Sequence, residues 1–199
     1  MRDVYELTDE ELEDCFEIDP QFTQTYFLLA KYYKKFGPHP KLQVMLEKAL
    51  DQNILDATIL DLLPRLYQDS GNLDKNLLLY ERLIEKRPSS IVYHQALVEL
   101  YTKRRNFVKA CLHLEAILKL SPSSVSELIR LGEILLLHAP QIREIRQTMA
   151  NLYIKSCQPT KAVIQLDALL ALNSGNRHDI VVSLKHLLQL FPDTPEIML

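Results

Sequence analysis

The 199-residue chain has no Trp, four Gly and three Cys, and its formal charge of −3 is no large excess of either sign. Each shortage removes a class of function. Four scattered glycines cannot build the phosphate-cradling loop of a nucleotide enzyme, and no GxxxxGK, GxGxxG or GxSxG pattern occurs. Cys15, Cys111 and Cys157 are odd in number and widely spaced, with no CxxC, so neither a disulfide framework nor a zinc site is expected. Such thiols fit a reducing compartment, and the cytoplasm is the expected location. The 23 basic residues are interspersed among 26 acidic ones, leaving no basic stripe for nucleic acid. The longest uncharged apolar run, ILLLHA at 134–139, is far short of the roughly 18 residues of a membrane span. The opening MRDVYELTDEE lacks the apolar core of a secretion signal.

What the chain has in abundance is Leu, and Leu with so little Gly favours helix over strand by intrinsic propensity. An all-α protein is expected. Its organisation shows in a repetition: LYQDSGNLDKNLLLYERLIEKRPSS at 66–90 and LYTKRRNFVKACLHLEAILKLSPSS at 100–124 share nine of twenty-five residues. Tyr33, Tyr67 and Tyr101 recur at one fixed interval, and the same interval links Gly37 to Gly71, Asn72 to Asn106, and Pro88 to Pro122. Three gapless units follow, 23–56, 57–90 and 91–124.

Each unit holds two apolar series at helical spacing. They are Tyr26, Leu29, Ala30, Tyr33 then Leu42, Leu46, Ala49; Leu60, Leu63, Leu66, Tyr67 then Leu77, Tyr80, Leu83; and His94, Leu97, Val98, Tyr101 then Ala110, Leu114, Ile117. Breaks fall at GPHP, DSGN, KRRN and the Pro-Ser-Ser stretches. Pro88 and Pro122 should stop a helix just before them, and Ser89 or Ser90, and Ser123 or Ser124, can cap the next. A unit is therefore a helical hairpin. A single hairpin cannot bury its apolar face, and stacking like on like closes it.

These positions together resemble the tetratricopeptide repeat: the 34-residue period, the small or apolar pair before a Tyr, the Ala-like position after it and the closing Pro. The departures are Tyr26, Leu60 and His94 at the Trp position, Leu42 and Asn76 where Ala is usual, and Pro64 within a first helix, which it either kinks or starts. The resemblance implies a right-handed superhelical stack of antiparallel hairpins.

After Pro122 the period slips, and a matching unit resumes at 143 rather than at 125. Keeping the old register would place Glu144, Thr148 and Asn151 in the core, where unpaired polar groups are costly. A fresh unit at 143–176 instead puts Met149, Ala150, Tyr153, Ala162, Leu166 and Leu169 in the repeat positions, with an extra helix over about 124–138 inside the segment 125–142. A rival pairing joins 124–156 and 159–190 as hairpins. The ends are expected to cap one continuous domain: an acidic helix within 1–22, with DEELED in its first turns and Thr8 and Glu11 at capping-box spacing, and a helix with Ile180, Leu184, Leu187 and Leu188 within 177–199. The final TPEIML is apolar for a terminus, and a longer parent protein is one expectation.

No catalytic constellation accompanies this pattern. His39, His94, His113, His138, His178 and His186 form no HExxH or HxxxH, and Cys111 and His113, two apart on a helix, point away from each other. The Tyr series reads as core. No enzyme activity, cofactor or metal is expected. What the resemblance implies is a concave groove, lined by first helices, that holds a peptide or helix of a partner protein. The matching positions are Gln24, Phe27, Lys31, Lys34 and Lys35; Asp61, Arg65, Gln68 and Asp69; Gln95, Glu99, Thr102 and Lys103; then Gln147, Asn151 and Lys155. The carboxylate-gripping residues of chaperone-binding relatives fall here on Phe27 and Lys31, Leu62, and Val92 and Ala96, of which only Lys31 fits, so that activity is disfavoured. The leading expectation is an interaction scaffold. Its alternatives are a homodimeric chaperone or assembly scaffold joined through the apolar terminal helix, and the helical regulatory part of a larger enzyme.

Overall fold

The structure is a computed structural model, and it describes residues 8–19, 22–36, 40–52, 54, 57–172 and 177–192. Within those helices the side chains of Asp9, Leu12, Glu13, Thr23, Phe27, Ala30, Tyr33, Lys34, Pro40, Lys41, Thr58, Arg177 and Asp179 lie outside the description, as do Gly37, His39 and the final TPEIML altogether. The described residues are all-α. In chain order they form α1 (Asp9–Ile18), α2 (Thr23–Phe36), α3 (Pro40–Asp51), α4 (Ala57–Asp69), α5 (Leu73–Lys86), α6 (Ile91–Lys103), α7 (Phe107–Leu120), α8 (Val125–His138), α9 (Arg143–Lys155), α10 (Pro159–Ala171) and α11 (Arg177–Leu190), with one 3₁₀ turn at Pro122–Ser124. Contacts separate two compact units, Met1–Leu79 and Tyr80–Leu199, and the division falls inside α5.

In the first unit α1 packs on α2 and α3, and α4 packs on both α2 and α3. The capping box opens α1: Glu11 N–H donates to Thr8 Oγ1 at 3.3 Å, and Thr8 N–H donates to Glu11 Oε2 at 2.9 Å. Tyr26, in the Trp position, is fully buried, as are Leu29, Leu46 and Leu63, and the Phe16 ring meets it edge-on at 6.4 Å. Helix α4 runs through Pro64 rather than starting there. Buried Asn76, where Ala is usual, donates to the Pro64 carbonyl at 3.4 Å.

In the second unit α6 and α7 form a hairpin, α9 packs most extensively on α10, and α8 lies against both α7 and α9. Leu97, Leu114, Ile117, Leu128, Leu135, Met149, Leu166 and Leu169 make its core. A Cβ on Gly132 would collide with Met149 Sδ, so the missing side chain is what lets α9 approach α8. Three expectations need correction. Ser90 and Ser124 precede α6 and α8 but make no capping hydrogen bond, and the Ser124 hydroxyl is taken up by that of Ser121 at 2.9 Å. Thr148 is buried after all, because its hydroxyl has a partner. Leu188 of the α11 stripe is 38% exposed, while Ile180 and Leu187 are covered.

The first helices end alike. Gly71, Arg105 and Cys157 have φ of 67°, 57° and 56°, the left-handed geometry that closes a helix. The accompanying bonds repeat, from Asn72, Asn106 and Gln158 N–H to the carbonyls of Tyr67, Tyr101 and Tyr153 at 2.7, 2.9 and 2.8 Å. The side chains of Asn72 and Asn106 then accept from the N–H of Lys75 and Lys109 at 3.1 and 3.2 Å, capping α5 and α7.

Candidate functional site

A set of electrostatic perturbations lies around the tyrosines, and it recurs along the chain. Tyr101 is buried and its hydroxyl donates to Glu81, while Lys109 Nζ lies 3.3 Å from Glu81 Oε1 and 5.0 Å from the centre of the Tyr101 ring. Tyr153 donates to Glu133 at 3.0 Å, with Lys161 Nζ 5.4 Å from its ring centre. Tyr67 donates to Glu47, which is paired with Lys75 at 2.7 Å. In every case the three positions are i, i+20 and i+28 for Glu, Tyr and Lys. Glu13, Tyr33 and Lys41 have the same spacing, with side chains outside the described residues.

The protonation of these groups follows from the contacts. The Tyr101 hydroxyl holds the Glu81 carboxyl below its ordinary range. Burial raises Tyr101, and burial followed by the Glu133 bond pushes Tyr153 up to about 12. Burial pushes Glu47 up, but hydrogen bonds from Lys75, Gln43 and Tyr67 outweigh it and leave the group lowered. Displaced ionisations often mark active sites. Three copies at equivalent positions instead mark a structural clasp, in which a buried phenol finds its acceptor on the preceding helix. The sequence spacing carried this signal; the apolar register alone did not reveal it.

Among the described residues, His94, His113 and Cys111 make no reactive pair. His94 and His113 share a hydrogen bond between their Nδ1 atoms at 2.9 Å, and His94 Nε2 donates to the Pro88 carbonyl at 3.0 Å. In a neutral pair the remaining His94 nitrogen is then the acceptor for His113. Burial, then the neighbouring His94, lowers His113 to about 4. Burial pushes the Cys111 thiol up to about 12, far from a nucleophilic thiolate. Among the described residues no group of three or more His, Cys, Asp or Glu could hold a metal ion, and no helix is long and apolar enough to cross a membrane.

The positions matched to a groove are distributed as follows. On α2, Gln24 and Lys35 are exposed and Lys31 is half-buried, while Phe27 and Lys34 lie outside the described side chains. On α4, Asp61 and Arg65 pair with each other at 2.8 Å, beside exposed Gln68 and Asp69. On α6, Glu99 and Lys103 are exposed, Gln95 is half-buried and the Thr102 hydroxyl donates to the Val98 carbonyl at 2.6 Å. On α9, Gln147, Asn151 and Lys155 form one i, i+4 row.

Two residues of this set line a described concavity. An open cleft of about 240 Å³ in the second unit is bounded by Glu115, Leu118 and Lys119 of α7, Asn151, Ile154 and Lys155 of α9, and His186 of α11. Asn151 and Lys155 are brought together there, and the α6 positions are not part of it. The neighbour across from α9 is α7, a second helix of its repeat. Helices α7 and α9 are in direct contact, and Thr148 Oγ1 donates to Glu115 Oε1 at 2.9 Å between them.

The hairpins are tetratricopeptide-like. No family model and no curated protein matches the chain. Among solved structures it is similar to a tetratricopeptide repeat protein from Parabacteroides merdae, with 17% identity, 94% of this chain and 80% of that one covered, and a TM-score of 0.47. MamA of AMB-1 follows at 16% identity, 87% and 85% covered, and a TM-score of 0.45. A thermophilic protein of the same repeat type from Thermus thermophilus shares 18% identity, with 83% and 98% covered and a TM-score of 0.38. Likeness at this level carries no argument, and the tetratricopeptide-like description rests on the chain's own spacing.

Proposed function

We propose that the chain is a non-enzymatic interaction scaffold, and that in the second unit a segment of another protein is held on the face where α7, α9 and α11 meet. One observation carries this reading. Lys119, Asn151, Lys155 and His186 surround the nearly buried side chains of Leu118 and Ile154, and none of those four polar side chains has a hydrogen-bond or ion-pair partner among the described residues. Other polar groups of the same unit are engaged between helices, in the clasps, the histidine pair and the Glu115–Thr148 bond. Unengaged donors around an apolar floor are what a binding surface needs to set register and orientation. The first-helix positions of the other unit, Gln24, Lys31, Lys35, Asp61, Arg65, Gln68 and Asp69, are proposed as a further contact surface, as are Gln95, Glu99, Thr102 and Lys103.

Peptides selected from a random displayed library on the intact chain test this. They are expected to lose binding to an Asn151→Trp chain whose helical circular dichroism is unchanged. No enrichment, or equal binding to the Asn151→Trp chain, overturns the site.

A second reading, self-association through α11, is favoured by the exposure of Val181, Val182, Leu188 and Leu190 on that helix. Light scattering across a concentration series would show a dimer, and a monomer throughout removes the idea.

A further inference from the structure

We infer that the cleft between α7, α9 and α11 selects a partner segment in which an acidic side chain neighbours a large apolar one. The inference rests on the proposed interaction surface and adds its chemistry. At about 240 Å³ the cleft falls below the roughly 300–1,000 Å³ of sites that enclose a small molecule or cofactor. It suits one or two side chains of a longer ligand lying across an open face. Leu118 and Ile154 form the apolar floor for the large side chain.

The charges decide what accompanies it. Lys119 and Lys155, from two different helices, stand at the rim without an acidic partner among the described residues, in a chain whose formal charge is −3. The carboxylate lining the cleft is that of Glu115, and one of its oxygens already accepts from buried Thr148. An incoming carboxylate therefore meets two unpaired ammonium groups, whereas an incoming ammonium would meet like charge.

A second observation concerns the ligand's backbone. Asn151 lines the same cleft one turn before Lys155 on α9. Its amide offers a donor and an acceptor to the C=O and N–H of an extended segment.

The test uses three pools of fluorescein-labelled nonapeptides with a central Leu or Phe, flanked by Glu, by Gln or by Lys, with Ala, Ser and Gly elsewhere. The Glu pool is expected to bind the intact chain roughly tenfold or more tightly than the Gln pool, and to weaken as salt is raised. The combined Lys119→Glu and Lys155→Glu chain should lose that preference, and Lys48→Glu, a reversal on α3, should keep it. Equal binding of the Glu and Gln pools, abolished by Asn151→Trp, overturns the acidic selectivity and leaves the interaction surface standing. Binding of displayed library peptides but of no Glu pool does the same. Failure of both the pools and the library overturns surface and selectivity together.

Discussion

Thr148 Oγ1 donates a 2.9 Å hydrogen bond to Oε1 of Glu115, joining α9 directly to α7. Glu115 continues the series Glu47 and Glu81 at one repeat length per step, and both of those accept from the tyrosine at i+20. The corresponding position for Glu115 is Leu135, which is buried and has no hydroxyl to offer. The carboxylate that would have closed a further clasp in the register of Glu47 and Glu81 is taken by a threonine from beyond α8. The clasp is then resumed in the new register by Glu133, Tyr153 and Lys161.

Replacing Thr148, which is 1% exposed, by Val keeps its volume and removes the donor. A loss of about 1–3 kcal/mol is expected in urea unfolding followed by circular dichroism. Combined with Glu115→Gln, the two losses should fall short of additivity, and strict additivity would show that the bond couples nothing.

The clasps predict parallel behaviour at separated positions. Tyr67→Phe, Tyr101→Phe and Tyr153→Phe each delete a phenol donor while keeping the ring in the core, at an expected cost of about 1 kcal/mol apiece. Thermal unfolding would report three similar decreases, and an unchanged midpoint in all three would leave the clasps without a stabilising role.

Arg105 and Cys157 occupy the left-handed position that Gly71 fills after α4, at φ of 57° and 56° against 67°. Side chains other than Gly are strained there by about 1 kcal/mol. Arg105→Gly and Cys157→Gly should each gain up to about that amount. Gly71→Ala should lose a similar amount from conformation alone, because a Cβ at Gly71 would meet nothing within 4 Å. The denaturation midpoints of the three variants check the signs.

His113 sets a pH dependence. Its folded value is lowered from 6.5 to about 4, so between those limits the unfolded chain takes up a proton that the folded chain refuses. Stability from this group is complete above about 6.5 and declines as pH falls toward 4. The lowered carboxylates Glu47 and Glu81 act in a separate window, at and below the ordinary carboxylate range near 4.5. Facing His113 are His94, Glu81, Lys109 and the ring of Tyr101. The difference in stability between the native chain and His113→Asn, followed from pH 7 to 4, should shrink as the pH drops, and a constant difference would contradict the assignment.

The helices, their breaks and most of their buried faces were legible from local chemistry, because a helix spaces its apolar residues every three or four positions whatever it packs against. Tyr26, Leu63, Leu97 and Ile117 are buried as that spacing requires. Leu188 follows the same spacing and stays exposed, since periodicity identifies a face without identifying what covers it. The Glu, Tyr and Lys of each clasp were equally present in the sequence, at fixed separations that only a pattern of polar residues reveals.

The groove positions illustrate the limit more sharply. Those on α6 follow from continuing the repeat register, and the cleft described in this unit is lined by α7, α9 and α11. By itself, the sequence determined an all-α chain of helical hairpins, because helix spacing and helix breaks are properties of neighbours within a few turns. Only the tertiary structure decided that α7 lies against α9, that Thr148 is buried on Glu115, and that Lys119 and Lys155 line one cleft. Those residues come from separate helices, and their meeting depends on the packing of the whole unit rather than on any interval along the chain.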